Sequence, residues 1–260
     1  MRIALGLEYD GSRFTGWQTQ PGGTAVQDAV EHALHEFVGT QVATICAGRT
    51  DAGVHATYQV VHFDVAVERP LEAWVRGVNA HLPSAVAVRW SRQVREDFHA
   101  RFSATGRRYD YWLLNDPVRS PLAHTRVGWV FRPLDEAAMH VAAQRLLGEH
   151  DFTSFRAAEC QARSPVRELR QCDVQRFGRL IRIRVAANAF LHHMVRNLVG
   201  TLVYVGLGRQ EVDWPAQVLA ARDRAQAAPT FAAEGLYLTH VQYDPAFDLP
   251  APADALPLLA

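Results

Sequence analysis

Residues 2–10 alternate between apolar and polar positions, the period of a half-buried strand. Gly11–Gln18 then reads as a loop with exposed aromatics, Phe14 and Trp17. Thr24 is placed as the N-cap of a helix over Val26–Leu34, with Gln27 completing a capping box and Gly39 ending it. Val42–Cys46 and Tyr58–Phe63 read as strands on either side of a Gly-bounded loop. Pro70 opens a helix to about His81, and Pro83 closes it. Val86–Trp90 is a further strand. The order β-α-β-β-α-β is that of a ferredoxin-like unit.

A second pass begins near His99. Tyr109–Leu114 is a strand, and 115–134 an irregular, Pro-containing link. Asp135 starts a helix to about Leu147, with Gly148 as its stop. Val166–Val174 and Leu180–Ala187 form a strand pair around Gly178. His192–Leu207 is a strongly apolar helix, Pro215–Arg224 a shorter one, and Leu236–Tyr243 a last strand. The pattern predicts an α+β chain of two ferredoxin-like halves, 1–98 and 99–245, with a mixed, largely antiparallel sheet and flanking helices. Residues 246–260 form a Pro-rich tail, expected to be loosely held.

Composition narrows the class. Of 260 residues, 48% are apolar and 21% charged, as in an ordinary globular protein. No apolar run is long enough to span a bilayer, and Met1–Asp10 is too short and too soon charged for a signal peptide. A cytoplasmic location with no membrane contact is therefore expected. The three cysteines, Cys46, Cys160 and Cys172, have neither zinc-knuckle spacing nor an even count for disulfides. His192 and His193 are adjacent, and on a helix neighbours point about 100° apart. No metal site is expected.

Net charge is zero, but its distribution is uneven. All 27 basic residues are Arg, and residues 89–196 hold 19 of them against 11 acids. Residues 1–88 carry 5 Arg against 9 acids, and residues 197–260 carry 3 against 7. A basic middle suits phosphate binding whatever the overall sum, and Arg binds phosphate bidentately and stacks on bases.

The candidate chemistry lies in Ala47-Gly48-Arg49-Thr50-Asp51-Ala52-Gly53-Val54-His55-Ala56. One carboxylate, Asp51, sits in a tight loop between two apolar runs, with a cation two positions upstream. Glycines on either side let the backbone turn and let a substrate approach. An Asp in such a turn commonly bonds its own backbone. A carboxylate at a strand-end loop beside an Arg also fits a nucleophile or a general acid/base. In an extended loop Arg49 and Asp51 point to the same side.

The string Gly-Arg-Thr-Asp-Ala-Gly-Val-His-Ala resembles the catalytic-loop signature of the tRNA pseudouridine synthases of the A type. Five further segments support the resemblance. Phe98–Tyr111 interleaves cations (Arg101, Arg107, Arg108) with aromatics, which suits phosphates and a stacked base. Phe152–Gln161, with Arg156, is similar to a family loop that contacts RNA. Ala186–Asn197 matches the family's third signature, and Gly16–Gln18 and Gly235–Leu238 match near its two ends. The resemblance runs from about residue 3 to about residue 243.

It implies the pseudouridine synthase fold and isomerisation of uridine to pseudouridine at positions 38–40, in the anticodon arm of tRNA, by a homodimer. The reaction changes no redox state and hydrolyses nothing, so no cofactor is required. It needs a carboxylate to take up an intermediate, a desolvated pocket and a group to remove the C5 proton. The resemblance gives these roles to residues. Asp51 would be the nucleophile, and Arg196 would pair with it, favouring the charged carboxylate and fixing its rotamer. Tyr109 would lie against the target base and is a candidate acceptor for its C5 proton. Arg49 would prop the position vacated by the flipped base; from the residues alone it could equally be a second ion-pair partner of Asp51. Val54 and His55 would line the loop, His55 as a structural or RNA-backbone contact.

Two other functions make different demands on the residues. A non-catalytic RNA-binding module or RNA chaperone has no need of a carboxylate in a phosphate-lined groove. A small-molecule glycosidase needs a second carboxylate, and Glu8, Asp10 and Asp64 do not sit in a comparable loop.

Overall fold

The computed structural model describes residues 1–252. The chain divides into two compact units, Met1–Thr105 together with the chain from Tyr237 onward, and Gly106–Leu236. The stretch 253–260 of the Pro-rich tail lies outside the described residues. Among the described residues no helix is long and apolar enough to cross a membrane.

The first unit is built on β1 (Arg2–Tyr9), which lies between β3 (His55–Asp64) and β4 (Val86–Val94) and runs antiparallel to both. The short β2 (Ile45–Cys46) pairs with β3. On its other side β3 runs parallel to β10 (Leu236–Gln242), with Tyr237 opposite His55. Two helices, α1 (Val26–Val38) and α2 (Leu71–His81), cover one face. There Trp74 of α2 packs on Phe63 of β3 and Phe37 of α1 at ring distances of 5.5 and 5.3 Å. Ile3, Leu5 and Leu7 pair with Phe63, Val61 and Gln59, so these residues share that face.

Three local expectations differ. The N-cap of α1 is Ala25 rather than Thr24, because the Asp28 carboxylate reaches back to accept from the Ala25 N–H at 2.9 Å. Thr24 instead shares a hydroxyl hydrogen bond with Thr15, and Gln27 bonds Gln18 and Glu31. Trp17, read as exposed, is buried, its ring tilted against that of Tyr9 at 6.0 Å. The tail is held at least as far as Pro250. Phe247 packs on Phe98, and the Tyr58 hydroxyl donates to the Pro250 carbonyl.

The second unit carries the antiparallel order β5 (Gly106–Asn115), β9 (Leu180–Ala187), β8 (Val166–Phe177), β7 (Gly148–Asp151). The 115–134 link contains a three-residue strand, β6 (Gly128–Val130), parallel to β5. Helix α3 (Glu136–Gln144) is capped by Asp135, whose carboxylate accepts from the Ala138 N–H. Helix α4 (Met194–Gly206) is buried almost all round, and α5 (Trp214–Ala221) follows it. Met139, Ala142, Leu198 and Leu202 join Ile181, Ile183 and Val185 in the core. A mixed, mostly antiparallel α+β architecture is thus observed, as the pattern predicts.

Candidate active site

In the first unit the Asp51 loop is held from beneath by backbone and buried polar groups. The Trp17 N–H donates to the Thr50 carbonyl at 2.9 Å, and the Val54 N–H to the Asp51 carbonyl at 3.1 Å. Thr50 Oγ1 and the Tyr9 hydroxyl share a buried hydrogen bond of 2.8 Å. Gln59 Nε2 donates to the Gly48 carbonyl at 2.7 Å. Gly53 turns the loop at φ +80°, in the left-handed region that favours glycine. Two glycines of the preceding loop lie hard against this one. A Cβ on Gly16 would stand 2.8 Å from the Thr50 carbonyl oxygen, and one on Gly11 would stand 1.9 Å from that of Val54.

Burial alternates along the loop. Arg49 is exposed, Thr50 buried and Asp51 half-buried. Val54 and His55 are both buried, at 2% and 3% exposure, so they support the loop from inside and leave little surface for RNA. His55 Nδ1 accepts from the Gly11 N–H at 3.1 Å, with Asp10 Oδ1 at 3.2 Å from the same nitrogen, and the ring stacks on Tyr237 at 4.6 Å. Burial pushes the Cys46 thiol up to about 12, against the opposing pull of Arg49 and Arg101. Cys46 is thereby an inert core group, and the two cations lie close enough to act on it together. Arg101 itself is exposed, its guanidinium 5.8 Å from the Phe102 ring.

In the second unit Tyr109 and Arg107 meet the Ala186–Asn197 motif. Tyr109 is 8% exposed and meets Phe190 edge-on at 5.2 Å. Arg107 Nη1 donates to the Asn188 carbonyl at 3.2 Å. Arg108, opposite Ala186, is half-buried. Behind them Asp110 and Arg184 form a bidentate pair across β5 and β9, both contacts 2.8 Å. Arg196 lies in the first turn of α4, and its Nε donates to the Phe231 carbonyl at 2.8 Å. Arg156 is half-buried, with Nη2 3.4 Å from the Cys160 carbonyl.

The expected helix geometry of His192 and His193 is replaced by a different one. Helix α4 begins only at Met194, and His193 is left-handed at φ +61°. The two rings consequently face each other at 4.0 Å instead of diverging.

Residues given no role by the sequence also hold these loops. Buried Asn197 donates to the Phe155 carbonyl at 2.8 Å and accepts from Thr230 and Arg224, tying the Arg156 loop to α4. Ser154 Oγ donates to the Val218 carbonyl at 2.6 Å. Gln59 had a legible signal, a lone amide in an otherwise apolar strand core. Tyr9 did not, since a Tyr in a strand reads as packing.

Comparison with known proteins agrees across the chain. Residues 7–103 and 142–244 match the model of a family described as tRNA pseudouridine synthase. A tRNA pseudouridine synthase A of Dechloromonas aromatica (strain RCB) is 59% identical over 254 residues, 98% of this chain and 97% of that protein. One of the same description from Burkholderia lata is 58% identical over 250 residues, covering 96% and 93% of the two chains. Another, from Herminiimonas arsenicoxydans, is 56% identical over 253 residues, covering 96% and 92%.

Proposed function

The chain belongs to the tRNA pseudouridine synthase family and isomerises uridine in tRNA; from that premise we propose that it acts at uridines 38–40 of the anticodon arm, with Asp51 as its nucleophile. The observation that carries the assignment is the Asp51 loop itself. A carboxylate is presented beside an exposed Arg on a backbone clamped by Thr50, Gly16 and Trp17. Such a clamp lowers the cost of holding a nucleophile in an attack geometry.

Each remaining role follows from what the isomerisation needs. The N1 glycosidic bond breaks, the uracil turns, and C5 bonds to C1′ while C5 loses its proton. Asp51 forms an ester with the electrophilic carbon and leaves again as the free carboxylate once C5 has bonded to C1′, and N1 gains a proton that balances the one lost from C5. Tyr109 packs against the detached base and is the candidate acceptor for the C5 proton, its ring already oriented by Phe190. Arg196 is assigned as the orienting partner of Asp51 on the strength of its place in the Ala186–Asn197 motif. Arg49 fills the space left by the flipped base. Arg101, Arg107, Arg108 and Arg156 take phosphates, so the arm is recognised mainly by shape and backbone. The enzyme works as a cytoplasmic homodimer and uses no cofactor.

The test is to map pseudouridine in unmodified tRNA treated with the enzyme. Modification confined to positions 38–40 supports the assignment. Modification elsewhere in the tRNA, with those positions untouched, overturns it.

A further inference from the structure

Gln59 is fully buried, at 0% exposure, on the helix-covered face of β3. Its strand neighbours on that face are Val61 and Phe63, and Leu7 lies opposite. A buried amide is unfavourable in such surroundings unless its polar atoms are partnered. A Leu would fit the site's chemistry better, so what the amide bonds to is informative.

Both donors of the amide turn toward the Asp51 loop. Nε2 donates to the Gly48 carbonyl at 2.7 Å and, more weakly, to the Tyr9 hydroxyl at 3.4 Å. The Tyr9 hydroxyl in turn shares a buried hydrogen bond of 2.8 Å with Thr50 Oγ1. Oε1 accepts from the Val60 N–H at 3.2 Å, which fixes which end of the amide faces the loop. One side chain is therefore bonded to the residue before Arg49 and linked, through Tyr9, to the residue after it. Gly48 and Thr50 are drawn inward, and Arg49 and Asp51 alternate outward from them.

The geometry points to Gln59 as a positioning residue for the nucleophile, acting through Gly48 and through the Tyr9–Thr50 pair. It touches neither substrate nor reacting atoms. This rests on the reading of Asp51 as nucleophile and deepens it. The role requires a donor at Nε2: an acceptor there would face the Gly48 carbonyl and push the loop away.

The test uses the full chain and unmodified tRNA tritiated at uracil C5. Turnover is measured at saturating tRNA, with tRNA affinity and thermal stability measured alongside. Gln59→Leu is expected to lower kcat about 10- to 100-fold, the scale of a misplaced catalytic group, with tRNA affinity changed less than about threefold. Gln59→Glu is the discriminating variant. Protonated, its O–H donates to the Gly48 carbonyl; ionised, it cannot, and burial raises its pKa into the assay range. Its kcat relative to wild type is expected to fall as pH rises from about 6 to about 9, while the Gln59→Leu ratio stays flat. A merely structural amide would shift stability and leave both ratios flat. Wild-type kcat in Gln59→Leu, or a flat Gln59→Glu ratio, overturns the inference. If Gln59→Leu does not fold, Gln59→Glu and Tyr9→Phe carry the test, the latter expected to lower kcat without changing tRNA affinity. Asp51→Asn is run beside them. Full activity there overturns the nucleophile reading itself, whereas an inactive Asp51→Asn with fully active Gln59 variants overturns only the positioning role.

Discussion

Gly16 and Thr50 touch backbone to backbone: a Cβ on Gly16 would stand 2.8 Å from the Thr50 carbonyl oxygen, and Gly16 has φ +103°. Both facts oppose any side chain at Gly16. Gly16→Ala is expected to cost about 2–3 kcal/mol through backbone strain and the close contact. Because the displaced atom adjoins Asp51, kcat should fall further than stability alone explains. Thermal melts and tritium release on the same preparation check this.

The Asp110–Arg184 pair spans β5 and β9 with side-chain exposures of 5% and 20%. Removing Asp110 takes the bidentate acceptor from a largely buried guanidinium. Asp110→Ala is expected to destabilise the protein by about 3–5 kcal/mol, whereas Asp110→Leu with Arg184→Met should be far milder. Urea unfolding of the two variants checks the difference.

His62 gives the fold a pH dependence. Burial, followed by the charges of His99 and Arg2, lowers its pKa to about 4, with Asp64 opposing. Its Nδ1 accepts from the Ala100 N–H at 3.1 Å, a bond only the neutral ring can make. The folded pKa lies below the unfolded value, so the unfolded chain binds the extra proton. Stability is full above about pH 6.5 and falls as pH drops toward 4, by about 1 kcal/mol per pH unit from this group. In His62→Gln that slope should flatten, as read by urea unfolding from pH 7 to pH 4.5.

Arg101 is exposed and assigned to a phosphate. Arg101→Gln is expected to weaken tRNA binding and to reduce the slope of log affinity against log salt by about one. A titration series in salt reads both.

The secondary structure of the first unit was legible because Gly39, Pro70 and Pro83 punctuate it and its strands keep their period. The strands β6 and β7 were not, since three and four residues carry too little pattern. Order along the chain also could not tell that the last strand would run parallel to β3, a pairing set by contacts far apart in sequence. Within the candidate site, the proposed roles of Asp51, Tyr109 and Arg196 come from the order of the motifs along the chain. Trp17 looked like a surface loop residue because nothing in a local pattern reports that two loops pack on each other. The left-handed turn at His193 was hidden for a similar reason: the apolar period runs on through it.

Tritium release from C5-labelled tRNA by wild type and Asp51→Asn, with tRNA affinity measured for both, is the most direct measurement. Release by the wild type and none by the variant, at unchanged affinity, is the expected result. Release by Asp51→Asn at the wild-type rate would contradict the assignment of Asp51 as the nucleophile.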